Sequence, residues 1–80
     1  MDYYIGGIVL LPYNFTPMYW MSCEGQILQV AQNQALFSLI GYNYGGNGTT
    51  TFALPDLRNA SPLPGMKYFI ATQGYYPPRD

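Results

Sequence analysis

The hydrophobic positions fall into short blocks cut by glycine, proline and asparagine. The first block, Ile5 to Leu11, is aliphatic and β-branched and stops at Pro12, which predicts a strand. Its unbroken apolar run predicts burial on both faces, with Gly6 and Gly7 permitting close approach of a ring or backbone. Pro12 to Gly25 holds two prolines and reads as loop. Within it Phe15, Met18 and Trp20 are expected as core or interface plugs. Gln26 to Val30 alternates enough for a short strand. A helix is predicted over about Gln32 to Ile40, where Leu36, Leu39 and Ile40 make one face and Phe37 widens it. Asn33 is the candidate N-cap, and Gly41 sits where a left-handed residue closes a helix.

Tyr42 to Thr51 reads as loop and turn, because Gly45-Gly46-Asn47-Gly48 offers several positive-φ positions. Thr50 to Leu54 predicts a strand closed by Pro55. Asn59 to Gly65 is a bridge with two prolines, and Met66 to Thr72 alternates as a last strand. Tyr75 to Asp80 is an extended, polyproline-like tail whose two tyrosines are expected to be covered by its own body or a neighbour.

Size and composition change the picture from a free-standing domain to an assembling one. At 80 residues a lone core is marginal, since such a chain buries roughly 60% of its unfolded surface. Disulfides, a metal or oligomerisation usually make up the difference. One cysteine rules out an internal disulfide, and the absence of histidine argues against a metal. Charged residues are 9% of the chain, whereas about 25% is ordinary. Nine tyrosines suit a surface that is largely covered by partners, because the ring is apolar and the hydroxyl tolerates water. The plainer reading is a monomer with a tyrosine-rich surface.

Candidate chemistry is sparse. Three Lys+Arg cannot neutralise a run of phosphates, so nucleic acid is not an expected partner. The longest aliphatic run, Ile8 to Leu11, is too short for membrane insertion. Met1-Asp2-Tyr3-Tyr4 lacks the basic start of a signal peptide, so lysis or a dedicated export machine is the expected route out of a cell. Cys23 has no candidate base and reads as a structural thiol. Asp56 and Arg58 could be drawn as a catalytic pair, but a buried or half-buried turn clamp is the better reading. The glycine-rich loop has no Gly-Lys-Ser/Thr and is not a phosphate loop. No catalytic residue and no cofactor are assigned.

The order of these motifs resembles the phage tail collar domain family, which includes the bacterial microcystin-dependent proteins. Its opening G-x-I is matched by Gly6-Gly7-Ile8-Val9, followed by Phe15 and Pro17. Its W-x-x-C-[DN]-G-Q-x-L block is matched by Trp20, Cys23, Glu24, Gly25, Gln26 and Leu28. Its most specific stretch, a helix, a YGGDG loop and an FALPDLR strand, is similar to Gln34 to Arg58, with Tyr44, Gly45, Gly46, Phe52, Pro55, Asp56 and Arg58 in place. Family chains often end on a segment similar to Lys67 to Arg79. Departures are Tyr19 where a glycine usually precedes the tryptophan, Glu24 for Asp/Asn, Asn47 for the aspartate of GGDG, Ala31 for serine and Asn59-Ala60 for Gly-Arg. The long middle region of the family is missing, and the histidine-bound metal of some tail fibres cannot be carried over.

The resemblance implies an α+β fold, a small β-rich single domain with one short helix, tail-collar-like, with terminal strands available for pairing between subunits. It implies a non-enzymatic structural role in a phage tail or phage-derived extracellular appendage, with the virion tail or the extracellular space as location. The expected partner is the chain itself, as a homo-oligomer or filament, with other tail proteins or a host-surface glycan as further candidates. The expected self-assembly residues are Tyr3, Tyr4, Ile8, Leu10, Tyr68, Ile70, Tyr75, Tyr76 and Pro77. The alternative, a glycan-reading module, places the ligand on Tyr42 and Tyr44, with Trp20 also available for stacking.

Overall fold

The computed structural model describes residues 3–78. The elements run β1 (Ile8–Leu11), β2 (Trp20–Ser22), β3 (Ile27–Gln29), a 3-10 turn (Val30–Gln32), α1 (Gln34–Ile40), β4 (Thr51–Ala53) and β5 (Lys67–Ala71). They form one antiparallel sheet in the order β1-β5-β2 and a second, two-stranded sheet of β3 and β4. The α+β class expected from the sequence is what the chain adopts.

β5 holds the larger sheet together. Its residues alternate between partners: Ala71 N–H donates to the Gly7 carbonyl of the β1 side, while Tyr68 accepts from Cys23 N–H on the β2 side. Phe69, Ile70 and Ala71 are consecutive and all buried, so β5 is the strand covered on both faces. That corrects the expectation for β1, which is an edge strand with Ile8 43% exposed. β1 also starts later than its apolar run. Gly6 turns the chain at φ 86, and Gly7 N–H bonds back to the Tyr4 carbonyl, so Ile5 leaves the strand and pairs with Tyr75 instead.

The core is where the two sheets meet the helix. Cys23, Leu36, Phe52, Leu54 and Ile70 form its buried centre, packed against Met21, Leu28, Phe37 and Leu57, among others. The Phe37 and Phe52 rings lie 5.3 Å apart and tilted by 55°. A seven-residue helix is too short to stand alone in water, so α1 owes its existence to this packing. Its start differs from the expected one. Val30–Gln32 tighten into the 3-10 turn, and the Asn33 side chain donates to the Gln29 carbonyl instead of capping α1. Gly41 ends the helix at φ 61 and ψ −149, a combination that only glycine adopts readily.

Three further expectations change. Trp20–Ser22 is a strand, drawn out of the expected loop by β5. Phe15 and Met18 are not core plugs, being 61% and 75% exposed. Ile70 belongs to the core and not to a surface, and Tyr68 is half-buried beside it on the central strand. Of the two terminal strands, β1 keeps an open outer edge, while β5 has both edges paired. Arg79 and Asp80 of the tail, and Met1 and Asp2 of the N-terminal reading, lie outside the described residues.

Candidate functional site

Two distant motifs clasp each other. The segment from Trp20 to Gln26 and the segment from Phe52 to Arg58 meet at an isolated bridge between Glu24 and Asp56. Leu57 N–H donates to the Cys23 carbonyl at 2.9 Å, Gly25 N–H to Pro55 at 3.2 Å and Leu54 N–H to Gln26 at 2.9 Å. Gly25 adopts φ 76 with the Asp56 side chain 3.4 Å from where a Cβ would stand, so the turn is closed by direct contact. Gln26 ties the loop internally, accepting from Glu24 N–H and donating to the Ser22 carbonyl. The Ser22 hydroxyl donates to the Glu24 carboxylate. Cys23 is sealed beneath, and burial pushes its thiol up to about 11, which leaves it protonated and inert.

Asp56 and Arg58 form the clamp on the outside of this clasp. Asp56 Oδ1 accepts from the Arg58 Nε at 2.9 Å, and Oδ2 accepts from Nη2 at 2.6 Å. The pair lies on the surface, which corrects the buried or half-buried placement. These bonds hold the Asp56 carboxyl near 2, below its ordinary 3.8. A depressed folded-state pKa stabilises the fold above the unfolded value and loses that contribution as pH falls toward the folded one. The stability difference between wild type and Asp56→Asn is therefore expected to be constant above about pH 5, and to shrink between pH 4 and pH 2. Thermal melts of both proteins across that range check it.

The glycine-rich loop is built against β4. Gly46, at φ 88, lies so close to the Thr51–Phe52 backbone that it has no room for a side chain. Asn47 organises the rest: its Oδ1 accepts from the N–H groups of Thr49, Thr50 and Thr51, and its Nδ2 donates to the Thr50 hydroxyl. An aspartate could do the first and not the second. Gly45 bonds Ala53 through its carbonyl, joining the loop to the strand.

The model of the phage tail collar domain matches residues 6–62, more than half of the chain. The chain belongs to the phage tail collar domain family. That family is a structural one of phage tails. No curated protein matches the chain, and no solved structure does. The matched span of the collar domain covers the clasp and the glycine-rich loop and stops before β5 and the tail.

Among the described residues no His/Cys/Asp/Glu group could hold a metal, and no helix is long and apolar enough to cross a membrane. Tyr3, Tyr4, Tyr75 and Tyr76 gather at one end, with Ile5 N–H donating to the Tyr75 carbonyl and Tyr75 N–H to Tyr3. The Tyr76 and Ser38 hydroxyls lie 2.6 Å apart, so the tail rests on its own body at Tyr76, and Pro78 borders the hollow lined by Tyr3 and Tyr4. Pro77 is half-buried there. Ile8 and Leu10 lie on the open edge of β1. Tyr42 and Tyr44 stand exposed on the glycine-rich loop, and the Tyr42 ring packs over Gly48.

Tyr19 was missed. It is the one non-glycine residue at positive φ among the described residues, at φ 72. Its carbonyl accepts both the N–H and the hydroxyl of Thr72, which holds the conformation in place. The signal was present, because Tyr19 stands where the family's pattern has glycine.

Proposed function

We propose that this collar domain is a non-enzymatic subunit that assembles with copies of itself in a phage tail or a phage-derived extracellular appendage. The observation that carries the reading is Tyr19. A tyrosine in the left-handed region costs about 1–2 kcal/mol relative to glycine. Tyr19 is 49% exposed, so the Thr72 bonds hold its backbone while its side chain gains little packing within the protomer. Strain kept at an exposed side chain points to a use outside the chain.

Its surroundings fit that use. The loop between β1 and β2 carries Tyr13, Phe15, Met18 and Tyr19, all exposed, with the Tyr13 and Phe15 rings stacked 5.0 Å apart. The outer edge of β1 lies beside it. Gly7 and Ala71 share a bond, so Ile8 and Leu10 direct their N–H and carbonyl groups away from β5. An apolar edge strand with unpaired backbone groups is a template for a second chain. Among the described residues only eight hydrophobic ones are buried, so covering this loop supplies what the small core lacks.

Tyr19→Gly tests the reading with two opposite signs. Relief of strain, less the entropy glycine adds to the unfolded chain, raises protomer stability by about 0.5–1 kcal/mol. Loss of the ring weakens association. Chemical denaturation at low concentration reads the first and sedimentation velocity reads the second. A variant that associates as well as wild type contradicts the proposal.

A further inference from the structure

Charge is scarce in this chain and gathered in one place. Among the described residues the charged side chains are Glu24, Asp56, Arg58 and Lys67. Glu24, Arg58 and Lys67 line a single cavity of about 470 Å³, walled also by Tyr13 and Tyr68, and Asp56 is held by Arg58 at its rim. Arg58 and Asp56 satisfy each other. Glu24 and Lys67 have no ion-pair partner among the described residues. The cavity therefore offers, between aromatic walls, a carboxylate held by the Ser22 hydroxyl and an ammonium, neither with an ion-pair partner among the described residues.

The remaining charges of the chain are Asp2, Arg79 and Asp80. The last two are adjacent, opposite in sign, and carried at the end of the tyrosine-proline tail. We propose that the cavity receives the Arg79-Asp80 segment of a second copy, with Arg79 meeting Glu24 and Asp80 meeting Lys67. The proposal rests on the self-assembly reading and names a contact that carries it. Charge complementarity is the first argument, since the carboxylate and ammonium in the cavity match the pair in the tail. The tail chemistry is the second: Pro77 and Pro78 stiffen the approach, and proline-rich segments dock in aromatic-lined grooves at low ordering cost.

Geometry favours a neighbour as the donor. The cavity lies at the Lys67 end of β5, beside Ser22 of β2. The tail lies at the Ala71 end, where Gly6 N–H bonds Ala71 and Ile5 N–H bonds Tyr75, and Pro78 borders the same hollow as Tyr3 and Tyr4. β5 is about 13 Å long at roughly 3.3 Å per residue. Two residues of backbone beyond Pro78 extend about 7 Å, roughly half the length of β5, so the tail of a neighbour is the better donor. Donor and acceptor at opposite ends of one sheet make a heterologous, head-to-tail contact, which gives a ring where the rotation closes and a filament where it does not.

Charge reversal tests the pairing. Lys67→Glu and Asp80→Lys are made separately and together, and association is followed by light scattering and sedimentation velocity at low salt. Each single variant is expected to weaken association about tenfold or more, and the double variant to restore it with the signs exchanged. Restoration also shows that neither substitution unfolds the chain. Single variants that assemble like wild type, or a double variant no better than the singles, overturn the docking and leave self-assembly standing. A wild type that stays monomeric at every concentration overturns both.

Discussion

Gly46→Ala is expected to remove about 2–5 kcal/mol of stability, a large share of what a domain of this size has. A Cβ at this position would stand 2.6 Å from the Thr51 carbonyl oxygen and 2.7 Å from the Phe52 nitrogen, and closer still to the Phe52 Cα. These are backbone atoms of β4, so no side chain can rotate away. Relief requires moving β4, which pairs with β3 at Leu28 and Phe52 and carries two of the core's largest buried groups nearby. Forcing atoms into a packed site costs about 1–3 kcal/mol, and the left-handed backbone adds about 1–2. A domain of this size has a total stability of roughly 4–12 kcal/mol. Gly65→Ala is the matched control: its φ is 79, but nothing lies within 4 Å of its Cβ. It carries the conformational cost alone, about 1–2 kcal/mol. Denaturant melts of the two variants side by side separate the clash from the backbone strain. Equal losses would show that β4 yields and that the loop is not built against it as described.

Phe52→Ala is expected to cost about 3–5 kcal/mol. Phe52 is 0% exposed and joins β4 to Phe37 of α1, so its removal opens a void between the second sheet and the helix. At about 4–8 °C per kcal/mol for a domain of this length, the melting temperature falls by more than about 10 °C. Phe15→Ala provides the contrast. Phe15 is exposed on the β1–β2 loop, and truncating it should change protomer stability by less than about 0.5 kcal/mol. If both substitutions cost the same, the division between core aromatics and surface aromatics is wrong.

That division was only half legible in the sequence. The helix, the glycine-rich loop and β4 stood out because periodicity, a run of positive-φ glycines and a closing proline each point one way. The strand at Trp20–Ser22 was hidden, since two prolines precede it and its partner β5 lies some 50 positions later in the chain. Pairing at that range leaves no local pattern. The apolar run at Ile8–Leu11 was read as buried because hydrophobic sequence reports what avoids water, not what covers it. An edge that a neighbour covers has the same composition as a core strand. The clasp between Cys23-Glu24-Gly25 and Pro55-Asp56-Leu57 was visible only as two separate motifs, and the backbone bonds that join them belong to no side-chain pattern. Convergence of the charges on one cavity was likewise beyond reach, because Glu24 and Lys67 are far apart along the chain and meet only when β5 inserts between β1 and β2.

The proposal of self-assembly rests on the edge of β1, the strained Tyr19 and the cavity that holds Glu24 and Lys67. The direct test is sedimentation velocity of the purified wild-type protein over a concentration series, with electron microscopy of the most concentrated sample. The account predicts a weight-average mass that rises with concentration, and rings or filaments of regular repeat in the images. A single monomeric species at every concentration would contradict it.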